Sequence, residues 1–196
     1  MSERVAVLVS GTGRHLENFA RLAREGELDV EVALALSNRE GVAALDRARR
    51  FEIPSLVLDP GRELDEAAFG ERAFAAIEEA DATTVLLAGF LRKLALPERW
   101  SGRVLNIHPA LLPAFGGKGY WGDRVHRAVL ERGCTVSGAT VHYVDDEYDH
   151  GPILLQRACD VLPDDTVESL AARVFGVELG LYPDALRLHL ARKGEP

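Results

Sequence analysis

The sequence predicts an α/β fold: an open, mostly parallel twisted sheet with helices on both faces and an antiparallel addition at its C-terminal end. Three observations carry this. Short apolar runs alternate with stretches of helical period through the first half. Gly11-Thr12-Gly13 follows the first apolar run and leads straight into a helical pattern. Near the end, two extended runs are joined by the short acidic segment Asp145–Pro152. Strands that alternate with helices imply right-handed β-α-β crossovers, and hence parallel pairing.

Taken in order, Val5–Ser10 is apolar throughout, as a strand buried on both faces should be. Arg14–Arg24 reads as a helix with Leu16, Phe19, Ala20 and Leu22 toward one side. Val30–Leu36 is a second strand, Val42–Phe51 a second helix and Ser55–Leu58 a third strand. Residues 64–79 form a third helix, on the spacing of Leu64, Ala67, Phe74 and Ile77. Thr84–Ala88 and Val104–Ile107 are the fourth and fifth strands. Thr135–Val144 and Ile153–Val161 pair as the antiparallel addition. Thr166–Arg192 closes as helix, broken at Tyr182-Pro183, because proline disfavours helical geometry in the residue before it. This layout is Rossmann-like. It shows no repeat or low-complexity linker, so residues 1–196 are read as one domain.

Composition narrows the function. The formal charge is −8, with no basic stripe, which argues against a nucleic-acid partner. An anionic substrate must then be held by a local device such as a helix N-terminus. Cys134 and Cys159 lack C-x-x-C spacing and are expected to pack as small hydrophobes. No basic and apolar leader precedes the first strand, and no apolar run approaches ~20 residues. The expectation is a cytoplasmic enzyme without a membrane segment.

The glycine loop has two readings. One is a phosphate cradle at the start of the first helix, with Arg14 and His15 as extra donors. The other is a tight strand-to-helix turn. It is not a dinucleotide fingerprint, because position 16 is Leu16, and it is not a P-loop, because no Gly-Lys-Ser/Thr follows.

Asn106 and His108 stand at i and i+2 as a strand ends, so both point to one face. Asn106 offers an amide donor for a developing oxyanion, and His108 a group that titrates near neutral pH. Both residues could equally serve local hydrogen bonds. Asp149 sits in an acidic turn, as a solvated loop residue or a working carboxylate. The turn lacks EF-hand spacing, and no metal is expected. His142 is read as a structural histidine rather than a metal ligand with His108. His126 and His189 are read as surface or edge residues.

Taken together, Ser10-Gly11-Thr12-Gly13, Ser37-Asn38, Leu87–Arg92, Asn106–Pro113, Ser137–His142, Asp149–Ile153, Glu178 and Tyr182-Pro183 resemble the folate-dependent formyltransferases. The likeness is strongest to those that act on glycinamide ribonucleotide, and it spans nearly the whole chain. It implies transfer of a formyl group from 10-formyltetrahydrofolate, as co-substrate, to the amine of glycinamide ribonucleotide in de novo purine biosynthesis. It divides the domain into a phosphate-binding half, about 1–100, and a catalytic and folate-binding half, about 101–196. Asn106, His108 and Asp149 match the catalytic trio. Gly11, Thr12, Gly13, Arg14 and His15 fall where the substrate phosphate binds, and Glu178 where a carboxylate meets the glycinamide end. Leu91, Arg92, Lys93 and Leu94, together with Asn106, Asp145, Asp146, Glu147 and Tyr148, fall around the folate. The implied partners are small molecules, with the chain a monomer or homodimer and neither nucleic acid nor membrane involved.

The resemblance also implies the chemistry. The amine attacks the formyl carbon, and Asn106 with a protonated His108 stabilises the charge that develops on oxygen. Asp149 would favour the imidazolium and relay protons through water.

Three departures stand out. Arg14-His15 replaces a Ser/Thr-Asn pair, Glu66 stands near the place of a folate-contacting arginine, and Phe175 replaces a polar residue. The loop Phe115–Gly122 is long and glycine-rich, and Gly116–Gly122 reads either as a mobile lid in which Tyr120 or Trp121 covers the folate or as a flexible glycine loop with incidental aromatics. Other folate formyltransferases are expected to carry an additional domain that this chain does not show. The alternatives are an N-formyltransferase of amino-sugar nucleotides and a plain nucleotide-binding domain.

Overall fold

The computed structural model describes residues 2–59 and 65–193. Leu64, expected in the third helix, lies outside the described residues. The chain divides into two compact units, Met1–Leu105 and Asn106–Pro196.

The first unit carries β1 (Glu3–Val9), α1 (Arg14–Arg24), β2 (Val30–Ser37), α2 (Ala43–Arg50), β3 (Ser55–Val57), α3 (Glu66–Glu79) and β4 (Thr84–Leu87). A 3-10 turn, Glu98–Trp100, precedes β5 (Val104–His108). β1 pairs in parallel with β2 and with β4, and β2 with β3. Val5, Ala6, Val7, Leu8 and Val9 are all fully buried, as an inner parallel strand requires. α1 sends Leu16, Phe19, Ala20 and Leu22 into the core, the face that its spacing predicts. α3 begins where the Asp65 carboxylate accepts the Ala68 N–H at 2.8 Å.

The second unit carries α4 (Asp123–Glu131), β6 (Val136–Tyr143), β7 (Ile153–Asp160) and α5 (Val167–Lys193). β6 and β7 pair antiparallel, with a register slip between Val141 and His142. The strand order is β3-β2-β1-β4-β5-β6-β7, a mostly parallel sheet with its antiparallel strands at the C-terminal end.

Three expectations need correction. α5 does not break at Tyr182-Pro183 but runs through it as one helix. Proline removes one helical donor, yet Tyr182, Pro183, Ala185 and Leu186 are all buried, and their packing overrides the local preference. α4 was not anticipated, because its apolar face is only Val125 and Val129, set in a glycine- and arginine-rich stretch. His126 and His189 are buried rather than surface residues. His126 lies on the inner side of α4, and His189 Nδ1 is 3.2 Å from the Tyr143 hydroxyl.

Candidate active site

In the first unit, β1 ends in a strapped loop. The Ser10 hydroxyl donates to Asn38 Oδ1 at 2.6 Å and accepts the Leu91 N–H at 2.9 Å. Ala44 N–H donates to the Gly11 carbonyl at 3.1 Å, and Arg47 Nε to the Thr12 carbonyl at 2.8 Å. Gly13 occupies the N-cap position of α1 at φ 71°, a left-handed conformation that glycine adopts without strain. A Cβ there would lie 2.5 Å from the Ala44 Cβ, so a side chain at 13 would push α2 away. Being glycine, it brings no side chain to cap the helix. Arg14 is exposed and His15 buried at the first turn.

The Leu91–Leu94 segment lies in the same unit. Leu91 is exposed and Leu94 buried, and the Arg92 guanidinium sits 4.7 Å over the Phe69 ring. Lys93 Nζ is 3.1 Å from Glu66 Oε1. The acidic departure at Glu66 is thus matched by a neighbouring cation.

In the second unit, the end of β5 meets the loop before β7. Asn106 Nδ2 donates to Asp149 Oδ1 at 3.3 Å, and His108 Nδ1 lies 3.4 Å from Asp149 Oδ2. Gly117 N–H donates to Asp149 Oδ2 at 3.0 Å. The three residues that the sequence singled out are therefore neighbours, around one carboxylate. His108 Nε2 donates to the Phe115 carbonyl at 2.8 Å, which leaves Nδ1 toward Asp149. Asp149 and Phe115 both adopt positive φ, 54° and 55°, a strained state for residues other than glycine. Such outliers concentrate where a structure holds groups for work.

Asp149 favours the imidazolium of His108, as expected, but burial is the larger influence. Burial pushes the His108 pKa down, and it outweighs the upward pull of Asp149, the Phe115 carbonyl and Glu178. The net position is below the usual 6.5. Asp149 still favours the charged form, but it does not prevail. Burial also pushes the Asp149 carboxyl up. Contacts with His142, His108 and the Gly117 N–H overcome it and hold the group below 3.8.

Sequence reasoning missed several supporting groups. Thr140, fully buried, donates to the Ala110 carbonyl at 2.7 Å and accepts Leu112 N–H at 3.0 Å and Gln156 Nε2 at 2.9 Å. It thereby fixes the segment that follows His108. His142 lies two residues on, with Nε2 3.1 Å from Asn106 Nδ2. The alternation of Thr140 and His142 along one strand was the available signal. Glu178, buried and already named from the resemblance, raises the His108 pKa electrostatically, while His108 acts on the buried His126. In the acidic turn, Asp145 accepts the Glu147 N–H at 2.9 Å and meets His150 Nδ1 at 2.8 Å. Tyr148 is exposed, as are Tyr120 and Trp121 in the glycine loop. Arg124 lies 4.8 Å over the Trp121 ring. Cys134 and Cys159 are half-buried, and burial raises the Cys159 thiol pKa, which disfavours a nucleophile there. No helix among the described residues is long and apolar enough to cross a membrane.

Comparison with known proteins shows what the chain as a whole is similar to. The formyl transferase family pattern matches residues 3–186. The trifunctional purine biosynthetic protein adenosine-3 of Bos taurus is 41% identical over 94% of this chain and 18% of its own length. The chloroplastic phosphoribosylglycinamide formyltransferase of Arabidopsis thaliana is 39% identical over 94% of this chain and 64% of its own. The chain thus spans less than two thirds of these relatives. Two crystal structures match more fully. Glycinamide ribonucleotide transformylase 1 from Symbiobacterium toebii has TM-score 0.89 at 38% identity, over 95% of this chain and 86% of that one. Phosphoribosylglycinamide formyltransferase from Bacillus halodurans has TM-score 0.87 at 34% identity, over 96% and 95%. With the family pattern covering nearly the whole chain and the predicted trio gathered around Asp149, this chain belongs to the formyl transferase family.

Proposed function

We propose that the chain transfers the formyl group of 10-formyltetrahydrofolate to the amine of glycinamide ribonucleotide, a step of de novo purine biosynthesis in the cytoplasm. The observation that carries this is the gathering of Asn106, His108 and Asp149 at the end of β5, in a chain that resembles solved enzymes of that name. Residues 1–196 act as one formyltransferase domain.

Asn106 donates to the formyl oxygen as charge develops on it, and the positive charge of a protonated His108 stabilises that oxygen electrostatically. Loss of one such donor costs about 3 kcal/mol. The lowered His108 pKa favours the neutral imidazole, which can accept a proton from the attacking amine, directly or through water. Asp149 stabilises the imidazolium that results. Gly11, Thr12, Gly13, Arg14 and His15 take the substrate phosphate at the start of α1, where the helix dipole favours an anion. The buried Glu178 meets the glycinamide end.

On the resemblance to the family, the residues proposed to contact the folate are Leu91–Leu94, Asn106 and Asp145–Tyr148. Exposed apolar side chains there, Leu91 and Tyr148, suit a flat ring system. Bound folate supplies the formyl group. The chain's own residues position it and handle the charge and protons.

A spectrophotometric assay with glycinamide ribonucleotide and a 10-formyl folate tests the reading. Deformylated folate should appear only when the amine is present, and His108→Ala should abolish it. Saturable folate binding without turnover would reject this acceptor and favour an amino-sugar nucleotide. Absence of folate binding would reject the reading altogether.

A further inference from the structure

We propose that His142 is a positioning residue that decides which end of the Asn106 amide faces the reacting groups. This rests on the reading of Asn106 as an oxyanion donor. His142 is buried on β6, beside the register slip with β7 that re-aims side chains locally. Its Nδ1 lies 2.8 Å from the Tyr143 carbonyl oxygen. A carbonyl only accepts, so Nδ1 carries a hydrogen. In the neutral ring, Nε2 is then left with a lone pair.

That lone pair faces the Asn106 amide at 3.1 Å. The atom it meets must donate, which selects Nδ2 over Oδ1. Asp149 Oδ1, 3.3 Å from the same nitrogen, makes the same selection. The amide orientation is therefore specified twice, by two acceptors from different strands and loops.

The two bonds are not equivalent. The one to His142 is shorter and belongs to a fixed, buried ring. The one to Asp149 is longer, and its hydrogen is the one that can turn toward a developing oxyanion. An imidazolium at 142 would reverse the arrangement. Its Nε2–H would repel Nδ2 and draw Oδ1 round, with Asp149 Oδ1 at 3.7 Å as the ring's other partner. Asn106 would then present a carbonyl to the very oxygen it has to stabilise. His142 thus serves as a hydrogen-bond acceptor toward the Asn106 amide. The titratable groups beside it are Asp149, His108 and Asp145.

Nitrogen NMR of histidine-labelled protein at pH 7.5 tests the orientation without any substrate. The expected result is a protonated Nδ1 and an unprotonated Nε2 at His142. A protonated Nε2 would overturn the proposal. Turnover gives the second arm. His142→Leu should lower kcat about 10²-fold with KM held within about threefold. His142→Gln, which restores an acceptor, should recover about tenfold of that loss. In an Asn106→Ala background, His142→Leu should cost less than about twofold, because the group it positions is gone. A full cost in that background would show that His142 acts by itself, and would overturn the proposal. Should the wild type fail to use glycinamide ribonucleotide, the acceptor assignment falls, and the NMR result alone decides the role of His142.

Discussion

Asp149 and Asp165 are the same residue type, lie in the same unit, and both have carboxyl pKa values held below the ordinary 3.8. Their settings differ in kind. Asp165 is gripped by Arg173, which stays charged at every working pH, and by the Ser169 hydroxyl at 2.7 Å. It also accepts Leu162 N–H at 2.7 Å, while Thr166 and Ser169 cap the start of α5 reciprocally. Asp149 has two histidines, an amide and one backbone N–H. Its backbone is held at φ 54°. A carboxylate paired with a permanent cation fixes structure. One paired with His108, a ring that can gain and lose a proton, can take part in chemistry.

The largest test of this contrast is Asp149→Asn. Asparagine tolerates the left-handed backbone, so the fold should survive. Turnover should fall by about 10² or more, as for loss of a group that acts in the transition state, with little change in melting temperature. Near-normal turnover would remove Asp149 from the chemistry. Asp165→Asn should do the reverse, lowering the melting temperature clearly while kcat stays within about threefold. A comparable loss of turnover would erase the distinction between the two carboxylates.

The pH dependence of stability sharpens it further. His108 and His126 are buried with lowered pKa values, so the unfolded chain binds their protons first. Stability should begin to fall as pH drops below the unfolded value of 6.5, and level off below the folded values. The two aspartates contribute in the opposite sense. Their stabilisation is complete above 3.8 and is lost only as pH falls through their lower folded values. Melting curves from pH 8 down to pH 3 should show the histidine window and the onset of the aspartate one, and a flat response from pH 7 to pH 5 would contradict the histidine part. In a proton NMR titration, His108 should turn over below 6.5, and lower still in Asp149→Asn, which removes its upward pull. The smallest effect belongs to His150→Ala. That residue's pair with Asp145 is exposed, so kcat should change less than about twofold. A tenfold loss would place the Asp145 turn at the reaction centre.

Much of this was legible in the chain itself. Val5–Val9, Val30–Ser37 and the spacing in α1 announce themselves through period and burial. Asn106 and His108 stand out because two polar groups on one face of a buried strand need a reason. Asp149 came from resemblance, since its position depends on a loop whose path no local pattern encodes. α4 escaped because its apolar face is so narrow, and Pro183 misled because packing of neighbours overrode its local preference. The lowered pKa of His108 was not legible for a related reason. A charge partner is visible as a residue, whereas desolvation depends on everything that surrounds the ring.

The hydrogen bond from His108 ends on the Phe115 carbonyl, a group that every amino acid carries. Substitution at 115 cannot delete that acceptor, only displace it. What inheritance must guard at this position is backbone shape, not a functional side chain. At φ 55°, glycine and asparagine are the substitutes of least strain, while valine and isoleucine are excluded by their branching. Sequence drift at 115 would thus look permissive by chemistry and restrictive by conformation. A residue can be indispensable to a reaction although nothing in its side chain takes part.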